Sequence, residues 1–545
     1  MTTASDQKET AATKPAGSAF APFRYRAFAV LWIATVLSNI GTWMHDVGAG
    51  WLMTELAPSP LLVASVQAAT TLPIFLFALL AGAIADIVDR RKLLIVINIL
   101  MGIAAVAMTL LVMAGMMTAP LLLIFTFVMG TGAAFMAPAW QAIVPALVPK
   151  TELSPAIALN SMGINISRAI GPALAGFLIV SAGIAYPFLV NAISFLGIIA
   201  TLAWWRPKAD NTGSLPAEHV IGALRIGVRH AVNNMALRAT LVRALAFFLF
   251  ASALWAMLPL IARDVLSGGP SLYGNMLAAV GAGAVAGAFV LPSIKKRLGA
   301  DRTVMAGTAG IALVLLFFAL VPIQAVAVFL SLVAGISWIA VLSSLNVSAQ
   351  LALPNWVRAR GLSVFLTVFF GSMALGSLLW GQIATMYGIP VALVAAALGA
   401  LVLVPLTRRA KLNQGESVDH TPSMHWPAPV VAADDAPDGP VMVQIRYRVA
   451  PENRDRFSDL VGQLASSRKR NGGYQWSLLQ DSADPSIFTE SWWESSWLDH
   501  QRHHERVTGE DQKLQMEIET LQIDGAKPVV THLVRPSVTS TREAI

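Results

Sequence analysis

The chain contains no cysteine, which excludes disulfides, thiol nucleophiles and cysteine-ligated metal clusters. Charge is also scarce: 13% of the residues are Asp, Glu, Lys or Arg, whereas a soluble globular chain carries about 25%. Long stretches such as Leu93 to Gly115 hold no charge at all. The polar segment Met1–Gly17 has no apolar core ahead of a small-residue cleavage site, so a secretory signal is not expected and the first apolar span would direct insertion. What remains is 56% apolar residues arranged in long runs, the composition of a polytopic membrane protein rather than of a soluble bundle.

A helix rising about 1.5 Å per residue needs roughly 20 apolar residues to cross a hydrocarbon core of about 30 Å. On that measure we expect twelve transmembrane helices, near 27–54, 61–85, 92–115, 119–144, 154–181 and 184–204, then 241–263, 272–294, 303–320, 322–352, 359–385 and 388–406. The two sets of six are related. Shifted by 205 positions, Gly82, Arg90, Arg91 and Lys92 fall on Gly287, Lys295, Lys296 and Arg297, and Pro149, Gly171, Gly176 and Gly183 fall on Pro354, Gly376, Gly381 and Gly388. Two parallel six-helix bundles in one chain is a plan of secondary transporters. The expected organisation is a disordered cytoplasmic tail (1–19), a first bundle (20–205), a connecting loop (206–240), a second bundle (241–407), a linker (408–439) and a soluble domain (440–536).

Basic residues set the orientation, because Lys and Arg are retained on the cytoplasmic side of short loops. One side collects Arg24, Arg26, the Arg90–Lys92 and Lys295–Arg297 clusters, Arg358, Arg360, Arg408 and Arg409, while the other offers only Arg263. Both termini are therefore expected in the cytoplasm, and the protein in the cytoplasmic (inner) membrane. Basic loops facing anionic lipid headgroups account for the +7 formal charge without nucleic acid as a partner. In the connecting loop, Val220, Leu224, Val228 and Ala231 recur at helical spacing and predict a short amphipathic helix on the cytoplasmic face.

The loop after the second span reads GAIADIVDRRK, Gly82 to Lys92. It resembles the signature loop of the major facilitator superfamily, matching at Gly82, Asp86, Arg90 and Arg91 and departing at Ile87 and Asp89. The resemblance implies a gating latch at the cytoplasmic mouth: a small residue for close helix approach, a carboxylate, and paired arginines. In the fifth span, Gly171, Pro172 and Gly176 resemble the Gly-Pro element of the superfamily's exporters, where a proline kinks the helix and glycines let it approach the opposite bundle.

Arg168 sits about 14 residues into that span, where a guanidinium costs roughly 2.5–3.5 kcal/mol and requires an acid or a wet cavity. Asp46, beside His45 in the first span, is the only carboxylate well inside a span of the first half. Asp46 and Arg168 are thus the candidate intramembrane charge pair and coupling site, with a wet outer rim as the alternative place for Asp46. Asn39, Gln141 and Asn165 are candidate cavity-lining polar residues, and with the surrounding Trp, Phe and Met they suggest a broad apolar cavity for an amphipathic small molecule.

Beyond Leu406 the composition changes to a linker rich in Pro and Asp. From Val441 the pattern predicts the order β-α-β-β-α-β, a ferredoxin-like unit. The run ESWWESSWLDHQRHH, Glu490 to His504, resembles dimeric α/β-barrel domains related to antibiotic-biosynthesis monooxygenases. That resemblance implies a homodimer contact through this domain, with Trp476, Trp492 and Trp493 filling the core between two sheets. His500 and His504 are one helical turn apart, but a solvated, charged helix is the preferred reading, so neither metal nor cofactor is expected. As a whole the chain resembles the transmembrane secretion effector branch, which includes enterobactin-type exporters. The resemblance implies a proton-coupled exporter with no catalytic residues; a membrane sensor and a transporter fused to an oxygenase are the alternatives.

Overall fold

The structure, a computed structural model, describes residues 20–206, 220–412 and 439–534 except positions 58 and 355, together with 421, 423, 425 and 426. The expected tail and most of the expected linker lie outside these residues. The first half comprises α1 (Arg26–Leu56), α2 (Pro60–Ile87), α3 (Arg90–Met113), α4 (Ala119–Leu147), α5 (Leu153–Ser181) and α6 (Tyr186–Trp204). After α7 (Val220–Asn233), the second half comprises α8 (Met235–Leu260), α9 (Pro270–Leu320), α10 (Gln324–Leu351), α11 (Arg358–Tyr387) and α12 (Ile389–Thr407). Proline opens α2, α4, α6, α9 and α12, at positions where a backbone N–H would have no intrahelical partner anyway.

Among the described residues eleven helices are long and apolar enough to cross a membrane, where twelve spans are expected. The difference lies in α9, whose 51 residues run through Gly299 at φ 75°, ψ 170°. Only glycine adopts that conformation without strain, so α9 is two helical arms joined at a break. Large apolar side chains such as Phe177 and Phe289 stand exposed around the bundle, as expected of a surface covered by lipid rather than water.

The two halves meet along α5 against α9 and α2 against α11. Glycine makes both crossings close. A Cβ at Gly176 would lie 2.9 Å from the Pro270 carbonyl, one at Gly274 2.5 Å from the Pro172 carbonyl, and one at Gly381 2.6 Å from the Ala64 Cβ. Gly176 and Gly381 are partners in the 205-residue repeat, so the internal duplication appears as two equivalent helix crossings. Where α1 ends and α2 begins, the halves are also tied by polar contacts. The Arg263 guanidinium donates to the Thr54 carbonyl, and the Leu61 N–H donates to the Thr385 hydroxyl at 3.0 Å.

After the bundle come β1 (Val441–Arg448), α13 (Arg454–Arg470), β2 (Tyr474–Gln480), β3 (Ile487–Glu494), α14 (Trp497–Arg506), α15 (Gly509–Glu519) and β4 (Val529–Val534). The strands form one antiparallel sheet in the order β2-β3-β1-β4. Strict alternation along β3 buries Phe488, Glu490, Trp492 and Glu494 on one face, and α13 covers that face with Phe457, Leu460, Val461 and Leu464. Trp492 therefore fills the core of its own domain and not a space between two sheets, a correction to the expectation above; Trp493 takes the opposite face.

This small domain rests on the membrane bundle. The Arg229 guanidinium of α7 donates to the Gly472 carbonyl at 2.6 Å, and Arg506 of α14 lies over the Trp356 ring at 4.3 Å. The helix expected over Val220–Ala231 is present as α7. Its packed side carries Gly227, His230 and Ala231 while Val228 is exposed, because the partner surface is protein: His230 meets Trp356 edge to face.

Candidate functional site

A cavity of about 300 Å³ lies between the halves. The first half supplies its polar wall, with Asp46 from α1, Gln67 and Thr70 from α2 and Arg168 from α5; the second half supplies Trp255, Tyr273, Trp338, Phe369 and Phe370. The aromatic wall is a packed array: Trp255 and Trp338 centroids are 5.1 Å apart and Phe369 and Phe370 4.4 Å apart. Thr70 and Thr71 spend their hydroxyls on carbonyls one turn back, so they contribute little donor capacity. Of the cavity-lining side chains, two have a donor without a protein acceptor, Arg168 Nε and Trp255 Nε1. Buried donors without acceptors are costly, and here both belong to residues lining the cavity.

The structure brings Asp46 and Arg168 to this one cavity, but no hydrogen bond or ion pair joins them among the described residues. The Arg168 guanidinium lies 5.5 Å from the Trp43 ring centre instead. His45 points away, buried edge to face against Phe188. Asn39, Gln141 and Asn165 do not line the cavity: Gln141 is exposed, and Asn165 donates to the Ser161 carbonyl of its own helix. Sequence reasoning missed Tyr273, Phe369 and Phe370 as wall residues, since aromatic residues in apolar spans carry no mark of which face they occupy.

Gly82 lies inside the last turns of α2, and a Cβ there would meet nothing within 4 Å. Arg91 donates to the carbonyls of Leu202 and Ala203, at 2.7 and 2.8 Å, closing the end of α6 in its own half. Arg90 Nε donates to the Ala85 carbonyl at 3.2 Å, and Asp89 caps α3 through the Lys92 N–H. The side chain of Asp86 is outside the described residues. In α5, Gly171 packs on Trp43 of α1 and Gly176 on α9, with Pro172 between them inside the helix.

The soluble domain has a polar interior of its own. Glu490 accepts from the Tyr447 hydroxyl (3.0 Å), Arg468 Nε (3.2 Å) and Trp476 Nε1 (3.0 Å). Glu494 accepts from Trp492 Nε1 at 2.9 Å and pairs with His500 Nδ1 at 2.6 Å and with His503 Nδ1. Burial alone would raise the Glu494 carboxyl, yet the His503 and His500 imidazoles hold it well below the usual carboxylate range. Burial and the Glu490 carboxylate push the Tyr447 phenol well above its ordinary value. The helix expected to be solvated thus turns His500 and His503 into the core, where both meet the buried Glu494 carboxylate of β3. A cavity of about 590 Å³ adjoins this network, lined among others by Trp426, Tyr447, Arg468, His500, His504 and His532.

Comparison with known proteins agrees with the bundle. Residues 17–540 match the family described as transmembrane secretion effector. The chain belongs to this family of major facilitator superfamily transporters. Among curated proteins it is similar to the staphyloferrin A transporter of Staphylococcus aureus, 25% identical over 272 residues, or 49% of this chain and 67% of that protein. Macrolide efflux protein A of Streptococcus pyogenes is 26% identical over 249 residues, 45% of this chain and 60% of that protein. The multidrug efflux pump Tap of Mycolicibacterium fortuitum is 23% identical over 381 residues, 68% of this chain and 92% of that protein. The matches to the first two thus span about 60 to 67% of those relatives' length.

Solved structures share the fold. One is a bacterial homologue of the human lysosomal transporter Spinster, inward-facing and unoccupied, at TM-score 0.57 and 16% identity, covering 72% of this chain and 98% of that one. Another is a mutant of the nucleoside transporter NupG, at TM-score 0.58 and 14% identity, covering 70% of this chain and 99% of that one. The chain is therefore a multi-pass membrane transporter with efflux-type relatives, and the matched family and relatives are transporters rather than enzymes.

Proposed function

We propose that the protein exports a small amphipathic molecule, of the drug or siderophore kind, across the cytoplasmic membrane in exchange for protons. The observation that carries this reading is the composition of the central cavity: an aromatic wall for an apolar body opposite one acid and one unpaired guanidinium. Such a wall accepts varied apolar shapes, while Arg168 and Trp255 offer donors to an acceptor or anionic group. The twelve crossings of this reading count the two arms of α9 separately and place both termini in the cytoplasm. The ties from Thr54 to Arg263 and from Leu61 to Thr385 then close the outer side, and the cavity waits for substrate from within. The gating role of Gly82, Asp86, Arg90 and Arg91 stays part of the proposal, acting on switching between states. The sheet domain, in ferredoxin-like order, is read as an associating and regulatory module that dimerises.

In this mechanism a proton on Asp46 and an anionic group at Arg168 alternate, so the cavity changes charge between its loaded and empty states. Asp46→Asn is expected to abolish dye efflux driven by a proton gradient in vesicles while sparing downhill exchange, and Arg168→Ala to reduce both. Uphill transport by Asp46→Asn at the wild-type rate would remove Asp46 from coupling. A cysteine introduced at Ser417 in the cysteine-free chain is expected to react only with reagent on the cytoplasmic side; labelling from outside would reverse the topology.

A further inference from the structure

His500 and His504 lie one turn apart on α14, and β4 brings His532 to the same place from 28 or more residues along the chain. One ring nitrogen from each of the three falls within 4.8 Å of the others. His500 Nε2 and His504 Nε2 are 3.1 Å apart, close to the ~3.3 Å that separates two nitrogens bound to one tetrahedral ion at about 2.0–2.1 Å. The surroundings select the lone pair. Glu494 takes the Nδ1 proton of His500 at 2.6 Å, which leaves Nε2 of that buried imidazole unprotonated and aimed at His504. A carboxylate behind a histidine in this way fixes tautomer and ring orientation at metal centres and raises ligand basicity.

We propose that His500, His504 and His532 bind one divalent transition metal ion. Three imidazoles and no thiolate suit zinc, nickel, copper or cobalt rather than calcium or magnesium. Three protein ligands leave a coordination position open. That position borders the cavity of about 590 Å³, which Arg468 also lines. Arg468 is held between the Trp426 and Trp492 rings, at 5.0 and 4.4 Å, and its buried Nη1 has no protein acceptor. An anionic group on the ion would meet that guanidinium, so the ligand class for the open position is a small anion or a carboxylate-bearing molecule. The proposal stands on the sheet domain alone and is independent of the transport reading.

The test uses the full chain in detergent, purified without a histidine tag and stripped with chelator. Titration with Co²⁺, followed by its visible ligand-field band and competed with Zn²⁺, is expected to show one ion per chain. His504→Gln and His532→Gln change half-buried residues and are expected to weaken binding by about 100-fold or more, while Glu494→Gln weakens it by about 10–100-fold. Far-UV circular dichroism of the stripped variants checks that they fold. Absence of a stoichiometric cobalt site in the wild-type protein overturns the proposal whatever the variants do. Equal cobalt affinity in folded His504→Gln or His532→Gln overturns it as well.

Discussion

Asp511 shows how much one side chain can hold at once. It forms a reciprocal capping box with Thr508 at the start of α15 and pairs with Arg470 at the end of α13. Burial would raise its carboxyl, but Arg470 and the Thr508 hydrogen bonds hold it below its ordinary value. A depressed carboxylate contributes stability above its unfolded pKa of about 3.9 and loses it as pH falls through the folded value. Local protection of α15 is therefore expected to be flat from pH 7 to about 5 and to fall below about 4. Hydrogen exchange of a peptide covering 508–519 measures this, and Asp511→Ala is expected to cost about 1–2 kcal/mol at pH 7. Unchanged exchange in that variant would show that the cap contributes nothing.

At the scale of helices, the glycines divide by what they touch. Gly176 and Gly381 sit where two helices from different halves meet within 3 Å of an added methyl, so a larger side chain must push the halves apart. Overpacking of this kind costs about 1–3 kcal/mol, and Gly176→Leu and Gly381→Leu are expected to suppress transport with expression retained. Gly82→Ala is expected to fold and express like wild type, since open space surrounds its Cβ position, and to slow transport only through the switching step; transport at the wild-type rate in that variant would remove Gly82 from the gating role. The same contrast explains the limits of sequence reading at this scale. Glycine spacing and the 205-residue repeat point to close crossings, but only packing tells Gly176, which touches α9, from Gly82, which touches nothing.

Over the whole molecule, the contacts that fasten the sheet domain to the bundle include Arg229 to Gly472 and Arg506 over Trp356. A cation–π contact contributes about 0.5–2 kcal/mol, so removing it together with the Arg229 hydrogen bond is expected to loosen the joint. Trp356→Ala combined with Arg229→Ala is expected to raise hydrogen exchange in α7 and along the face of α13 while leaving the interior of the bundle unchanged. If exchange in α7 did not move, the domain would be held by other contacts. Because α14 carries both His500 and Arg506, any event at the histidine cluster acts on the same rigid element that touches Trp356.

The long apolar helices, the duplicated bundle plan and the succession of strands and helices after Val441 were legible in the sequence because each rests on local composition or periodicity: a run long enough to cross, or an alternation that buries one face. The broken helix at Gly299 escaped that reading only in its continuity, since a single residue at positive φ joins two helical arms. Tertiary structure alone decided which polar residues share a space. It placed Asp46 with Arg168 without pairing them, turned Asn165 back on its own helix, and gave Arg91 the carbonyls of α6. It also carried His532 on β4 to His500 and His504 on α14. These outcomes depend on helix rotation and on contacts between residues far apart in the chain, and no short window of sequence contains both partners.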